Sequence, residues 1–414
     1  MAAIAQKKPE SKSQSTWALA WRRFRKHRAA MFSLGVIAVL VFIALTAPFI
    51  APYSPTTQPT GTDLAACYNK PPLSPPSCYP GATFPHLMGT DDLGRDLFTR
   101  IMYGARISLM VGFVAAFMSA IIGSLLGVIA GYFAGRPLNF YYGPLAKGAP
   151  QTPLFWTWRA VSWVFYFGFL FFVGQLIWTL SGRNVQALLG GAVDLNNVLS
   201  SLGFLVGFGL LIWGGIFGFS NQLKLDLDNV VSRFMDFILT IPELPLLLVL
   251  SALLRDTQGL VGRWFTSTFG ESASVLIIIT IIVLFGWVGT GRLVRGAVLS
   301  LREQEFTTAA QALGAGSGRI MFRHLVPNTL APLIVNTTLA VGGAIITESA
   351  LSFLGFGIQP PVATWGNMLT NAQQYLFDYP WLALFPGFMI FLTVLSFNYL
   401  GDGLRDALDP RSRL

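Results

Sequence analysis

Apolar runs of about twenty residues recur along this chain, and nothing else in it limits the fold so tightly. A bilayer core takes roughly 20 apolar residues of helix to cross, and backbone polar groups inside it must bond internally. Residues 29–50 make the first such run. Further runs cover 107–134, 161–180, 198–219, 234–254, 274–289, 329–350 and 381–400. The expectation is therefore an all-α polytopic membrane protein with eight spans. Composition agrees: 11% of the 414 residues are charged, against roughly 25% in a soluble protein.

The distribution of Lys and Arg sets the orientation. With the N-terminus inside, the inner segments (1–28, 135–159, 220–233, 291–327, 401–414) hold 21 of the 28 basic residues and the outer ones 7. Cytoplasmic segments carry the excess of positive charge in membrane proteins, so both termini are expected on the cytoplasmic side of a bacterial or archaeal cell membrane. The net charge of +9 then reports topology, and no nucleic-acid partner is expected. Residues 1–28 are polar and basic and lead into a long apolar run, which predicts a retained anchor and not a cleaved signal. Within them, WALAWRRFRKHR (17–28) suits an interfacial helix on anionic lipid.

Residues 51–106 form an external loop dense in proline. It holds the only two cysteines, Cys67 and Cys78, which on an oxidising side are expected to pair. With His86 alone nearby they fall short of a four-ligand metal site, and no metal is expected. The loop ends in GTDDLGRDLFTRIMYGARISL (89–109), where Thr90 or Asp91 is expected to cap a helix. In the span that follows, Gly112, Gly123, Gly127 and Gly131 are spaced for close helix packing.

The polar island 291–328 interrupts the later spans. On a 3.6-residue helix Phe306, Ala309, Ala310 and Leu313 share one stripe, with Gln304, Thr307, Thr308 and Gln311 opposite. Gly314, Gly316 and Gly318 end that helix. A second short helix is expected from Arg319 to Leu325, stopped by Pro327. Catalytic motifs are missing: none of the seven lysines follows a glycine, so there is no phosphate-binding loop of the Walker type, and no H-E-x-x-H or G-x-S-x-G occurs. Catalytic residues and cofactors bound by this chain are therefore not expected. Among acids in apolar surroundings, Asp236 is expected to pair with Arg233. Glu243, between Pro242 and Pro245 at a break, and Glu348 are pathway candidates, because buried charge is costly and tends to be functional.

The stretches GTDDLGRDLFTRIMYGARISL, VLSLREQEFTTAAQALGA, RHLVPN, ALSFLGFGIQPPVATWGNML and PWLALFPGFMIFLTVLSFNYLGDGLRDALDPR resemble the permease subunits of binding-protein-dependent ABC importers, specifically the C-type subunit of the dipeptide, oligopeptide and nickel systems. The resemblance covers 86–134 and 227–410. It implies the transmembrane domain of a type I importer with a six-helix core, to which 135–226 adds two inserted helices. It implies alternating access and four kinds of partner: a homologous second permease, two cytoplasmic ATPase subunits that carry ATP and Mg, an external substrate-binding protein, and the lipid bilayer. By position it makes Glu305, Thr308, Ala309, Ala310, Leu313 and Gly314 the residues of the ATPase-coupling helix. Where the family has Glu-Ala-Ala, this chain has Thr308-Ala309-Ala310, so docking here should rest on packing more than on charge. The readings weighed against the importer are an ion-gradient-driven transporter or channel using Glu243 and Glu348, and a membrane scaffold.

Overall fold

A computed structural model describes residues 16–59, 64–76, 79, 83–136, 138–140, 223–255 and 260–409. The chain divides into two compact units, residues 1–132 with 231–414, and residues 133–230. Of the second unit, the described part is its rim. Strand β1 (Leu138–Phe140) pairs antiparallel with β2 (Leu223–Leu225), Leu138 facing Leu225. The inserted stretch thus leaves and returns side by side. Its two apolar runs, 161–180 and 198–219, lie outside the described residues, and with them the expectation of eight spans.

In the first unit five helices are long and apolar enough to cross a membrane: α2 (Arg28–Ile50), α3 (Leu97–Phe133), α7 (Ala273–Leu301), α9 (Ser317–Phe353) and α11 (Trp381–Leu408). A sixth crossing is possible if α4 (Leu227–Thr240) and α5 (Glu243–Arg255), bent by 91° at their junction, count as one span. Short helices complete the set: α1 (Thr16–Phe24), α6 (Leu260–Phe269), α8 (Glu305–Ala312) and α10 (Trp365–Ala372).

Several helices outrun their apolar runs. Helix α3 starts at Leu97, ten residues before the expected 107, and α7 continues to Leu301 inside the supposed island. Hydropathy marks the part of a helix that sits in lipid, not where its hydrogen bonds stop. Pro327 does not end a helix either. Ile320–Leu325 is a π-helical turn, in which Val326 N–H bonds to the Met321 carbonyl five residues back, and it runs straight into Val326–Phe353. A π turn changes the bonding register locally, which accommodates a residue that lacks an N–H and would otherwise crowd the preceding turn.

Glycine spacing in α3 does set its packing. A Cβ on Gly123 would lie 2.6 Å from the Trp287 carbonyl oxygen, one on Gly127 2.6 Å from that of Gly291, and one on Gly131 2.9 Å from that of Arg295. Three glycines four apart therefore face three residues four apart on α7, and the two backbones touch. At Gly112 the same helix meets Ile345 of α9, at 2.6 Å. The core around this contact is aliphatic, with Val111, Ala115, Ile277, Ile278, Ile281 and Leu351 buried. Helix α11 closes the bundle through Gly401 against Leu339 and Gly403 against Ala30. Phe24 of α1 joins Ala30 and Ala407 in one buried cluster, so α1 lies against the last helix. The chain ends therefore share one side with the α7–α8–α9 turns, and 51–96 shares the other with 354–380.

Among the described residues of 51–96 there is one regular turn, a 3-10 helix at Leu64–Cys67, in keeping with their prolines. They are ordered by buried polar bonds. Asp91 Oδ1 accepts the N–H groups of Leu93 (3.0 Å) and Arg95 (2.8 Å), while Oδ2 takes Arg95 Nε at 2.8 Å and lies 3.4 Å from Arg100 Nε. Thr90 Oγ1 accepts from Lys70 N–H and donates to the Cys67 carbonyl. Neither Thr90 nor Asp91 caps the helix. That role falls to Asp96, whose Oδ2 accepts Thr99 N–H at 2.8 Å while Oδ1 holds His86 Nδ1 at 2.8 Å. The cap is the residue next to the helix, and the acids upstream serve the loop. Tyr79 donates to the Gly94 carbonyl at 2.6 Å, and burial together with Asp91 and Asp96 pushes its phenol above the usual range. Cys67 is buried, and there is no free thiol among the described residues; Cys78 lies outside them.

Candidate coupling helix and intramembrane carboxylates

Helix α8 occupies the turn between α7 and α9 and is exposed along most of its length, with a single residue, Thr307, buried beneath it. Thr307, on the polar side of the sequence pattern, is fully buried and donates to the Leu301 carbonyl at 2.9 Å. Leu301 ends α7, so this hydroxyl satisfies a carbonyl that has no partner within its own helix. The apolar stripe faces away from the chain: Phe306 is 37% exposed and Leu313 88%, Ala309 is exposed and Ala310 half-buried. Glu305 opens the helix, exposed, and Thr308 is exposed with its hydroxyl donating to the Glu305 carbonyl at 2.9 Å. Four of the six expected residues lie on this short helix, Leu313 caps its end and Gly314 sits in the turn that follows. Thr307, the residue that fastens this helix, reads as surface in the sequence, because a periodicity pattern shows that two faces differ and not which one is covered.

The helix closes with a Schellman turn. Ala315 N–H bonds to the Ala310 carbonyl (3.0 Å) and Gly314 N–H to that of Gln311 (2.9 Å), with Gly314 at φ +78°. An L side chain is disfavoured in that conformation. Two residues later α9 begins, so the coupling turn is set directly on a membrane-crossing helix. Arg302, between α7 and α8, reaches back to the Gly131 carbonyl at 3.3 Å and ties the turn to the end of α3.

The carboxylates divide sharply. Asp236 pairs with Arg292 of α7, not with Arg233 as the sequence suggests. Four residues of one helix are less persuasive than a cation presented across a helix contact. Glu243 is the first residue of α5, just past the bend at Ile241 and Pro242, and is exposed. The break predicted from the flanking prolines is present. Glu348 is instead fully buried, 2.8 Å from Ser352 Oγ, 3.4 Å from Ser108 Oγ and 3.5 Å from Ser349 Oγ. Among the described residues no group of three or more His, Cys, Asp or Glu side chains is placed to hold a metal.

Comparison with known proteins agrees with this arrangement. Residues 210–414 match the family described as binding-protein-dependent transport system inner membrane component, and residues 15–72 match the N-terminal transmembrane domain of oligopeptide transport permease C. The dipeptide transport system permease protein DppC of Alkalihalophilus pseudofirmus is 32% identical over 399 residues, 96% of this chain and 91% of that one. The oligopeptide transport system permease protein OppC of Bacillus subtilis is 31% identical over 406 residues, 98% and 93% of the two chains. The DppC protein of Haemophilus influenzae is 29% identical over 391 residues, 94% and 93%. With several bilayer-length helices and relatives of this kind along nearly its whole length, the chain belongs to the multi-pass permease family of binding-protein-dependent ABC transport systems for dipeptides and oligopeptides.

Proposed function

We propose that this chain is one half of the membrane passage of an ATP-driven importer, carrying dipeptides or oligopeptides handed over by an external binding protein. It would work with a homologous second permease and two cytoplasmic ATPase subunits. The observation that carries the reading is the outward apolar edge of α8. A soluble face of Phe306, Ala309 and Leu313 on a helix rigidly capped at Thr307 and Gly314 is poorly suited to water and well suited to a cleft on another protein. Because the chain has no phosphate-binding loop of its own, the energy must arrive through such a contact.

In this mechanism ATP draws the two ATPase subunits together, and each carries a coupling helix with it. The displacement reaches α7 through the Thr307–Leu301 bond and α9 through the Gly314 turn, and the passage opens alternately to either side. Basic residues put both chain ends and α8 in the cytoplasm. Residues 51–96 and 354–380 are then external, where Cys67 and Cys78 would be paired. Glu243, exposed at the bend between α4 and α5, is the acid best placed to line the passage. This subunit performs no covalent chemistry.

The test is co-purification. Replacing Leu313 and Phe306 by Asp should leave the permease in the membrane and release the ATPase subunits from the detergent-solubilised complex. ATPase retained in native proportion would contradict the docking role.

A further inference from the structure

We propose that Glu348 is a positioning residue: its carboxylate anchors the external segment 354–372 to the outer ends of α3 and α9, so that this segment moves with the helix whose other end carries the coupling turn. The anchoring stands on geometry alone, while its bearing on transport rests on the importer reading above.

Two relays converge on this one side chain. Trp365 N–H donates to Ser108 Oγ at 3.3 Å, and Ser108 Oγ lies 3.4 Å from Glu348 Oε2. Ile358 N–H donates to Ser352 Oγ at 3.2 Å, and Ser352 Oγ lies 2.8 Å from Glu348 Oε1. Each hydroxyl already accepts from a backbone N–H of the external segment. Its own proton is therefore free to point at Glu348. A carboxylate is an acceptor only, with about four lone-pair sites, and here it meets Ser108, Ser349 and Ser352. No neutral side chain of this size accepts on both terminal atoms.

The two backbone groups so held, of Ile358 and Trp365, are the two ends of the loop 358–365. The fit around them leaves no slack. A Cβ on Gly366 would lie 2.7 Å from Ser349 Cα, and one on Gly357 2.0 Å from Ser352 Oγ. The Trp365 indole adds a bond to the Ile101 carbonyl of α3 at 3.1 Å. None of the ion pairs among the described residues includes Glu348. Burying an unpaired carboxylate inside a membrane protein is costly, which suits an anchor that must engage several donors at once. The position also has reach. Helix α9 is unbroken from Ser317 to Phe353, roughly 55 Å at 1.5 Å per residue, with the Gly314 turn at its start and Glu348 five residues from its end.

Amide hydrogen exchange in the assembled transporter in lipid nanodiscs tests the anchor, with ATP turnover read on the same samples. Ser108→Ala should speed exchange at Trp365 about tenfold and spare Ile358, and Ser352→Ala should do the reverse. Glu348→Gln should speed both, since its amide donor meets hydroxyl oxygens that are already occupied. Ser349→Ala relays no backbone group and should change neither. The stimulation of ATP turnover by peptide-loaded binding protein should fall at least about threefold in Glu348→Gln and remain in Ser349→Ala. Native exchange at both amides, or native stimulation, in Glu348→Gln overturns the proposal. If Glu348→Gln does not assemble, the two serine variants decide it by whether their effects separate. A native complex that shows no stimulation would count against the importer reading, while the exchange pattern would still judge the anchor.

Discussion

Thr307 and Gly314 fix the two ends of α8, and of these two only Gly314 is among the residues its family pattern singles out. Gly314 sits at φ +78° with no atom near its missing side chain, so the demand is conformational and not steric. Gly314→Ala should cost about 1 kcal/mol in the αL region and reduce transport modestly. Gly314→Pro, fixed near φ −65° and without the N–H that bonds to Gln311, should abolish peptide uptake while membrane insertion and yield stay normal. Uptake by the Pro variant at the native rate would remove the turn from the mechanism. The glycine was legible in the sequence from its place after an apolar-striped helix. Thr307 was not, since its value lies in the Leu301 carbonyl, which only the fold brings near.

Charges of the external segment test the same scale. Asp92 is held above the usual carboxylate range by burial and by neighbouring Asp91. A raised acid binds its proton more tightly folded than unfolded, so its contribution to stability falls as pH rises through the unfolded value. Asp92→Asn should therefore leave the melting temperature at pH 7 unchanged or raise it, and flatten its decline above pH 4. Asp96 acts through its hydrogen bonds. Asp96→Ala removes the cap of α3 and strands buried His86, for a loss of about 2 kcal/mol. It should be read as faster proteolysis within 51–96, and cleavage at the native rate would contradict this account.

At the scale of elements, the α3–α7 contact depends on backbone meeting backbone. Gly127 has the Gly291 carbonyl 2.6 Å from its would-be Cβ, with the Val294 Cβ at 3.0 Å. Gly127→Leu should force the helices apart and prevent accumulation of folded protein, whereas the same change at Gly289, with nothing within 4 Å, should be tolerated. Equal yields of the two variants would mean that the ladder of glycines does not define the packing. Here the sequence was informative, because a spacing of four residues on one helix already describes a face. Helix ends were less legible. The starts at Leu97 and Ser317 depend on the Asp96 cap and on the π turn at Ile320–Leu325, neither of which alters hydropathy. The pairing of Asp236 with Arg292 depends on two helices 56 residues apart in the chain, and sequence neighbours gave the wrong partner.

For the whole molecule, multi-pass membrane character and family were readable from apolar runs and long motif stretches, because these are properties of the linear chain. What Glu348 does was not, since its two relays come from α3 and α9. Its full burial also weakens the reading in which an ion gradient drives transport through it. The decisive measurement is uptake of a radiolabelled peptide into proteoliposomes holding the complete complex, with binding protein on one face and ATP on the other. Uptake that requires ATP, persists when an ionophore collapses every ion gradient, and disappears with Leu313→Asp is the predicted result. Uptake that proceeds without ATP and is abolished by the ionophore would contradict the account.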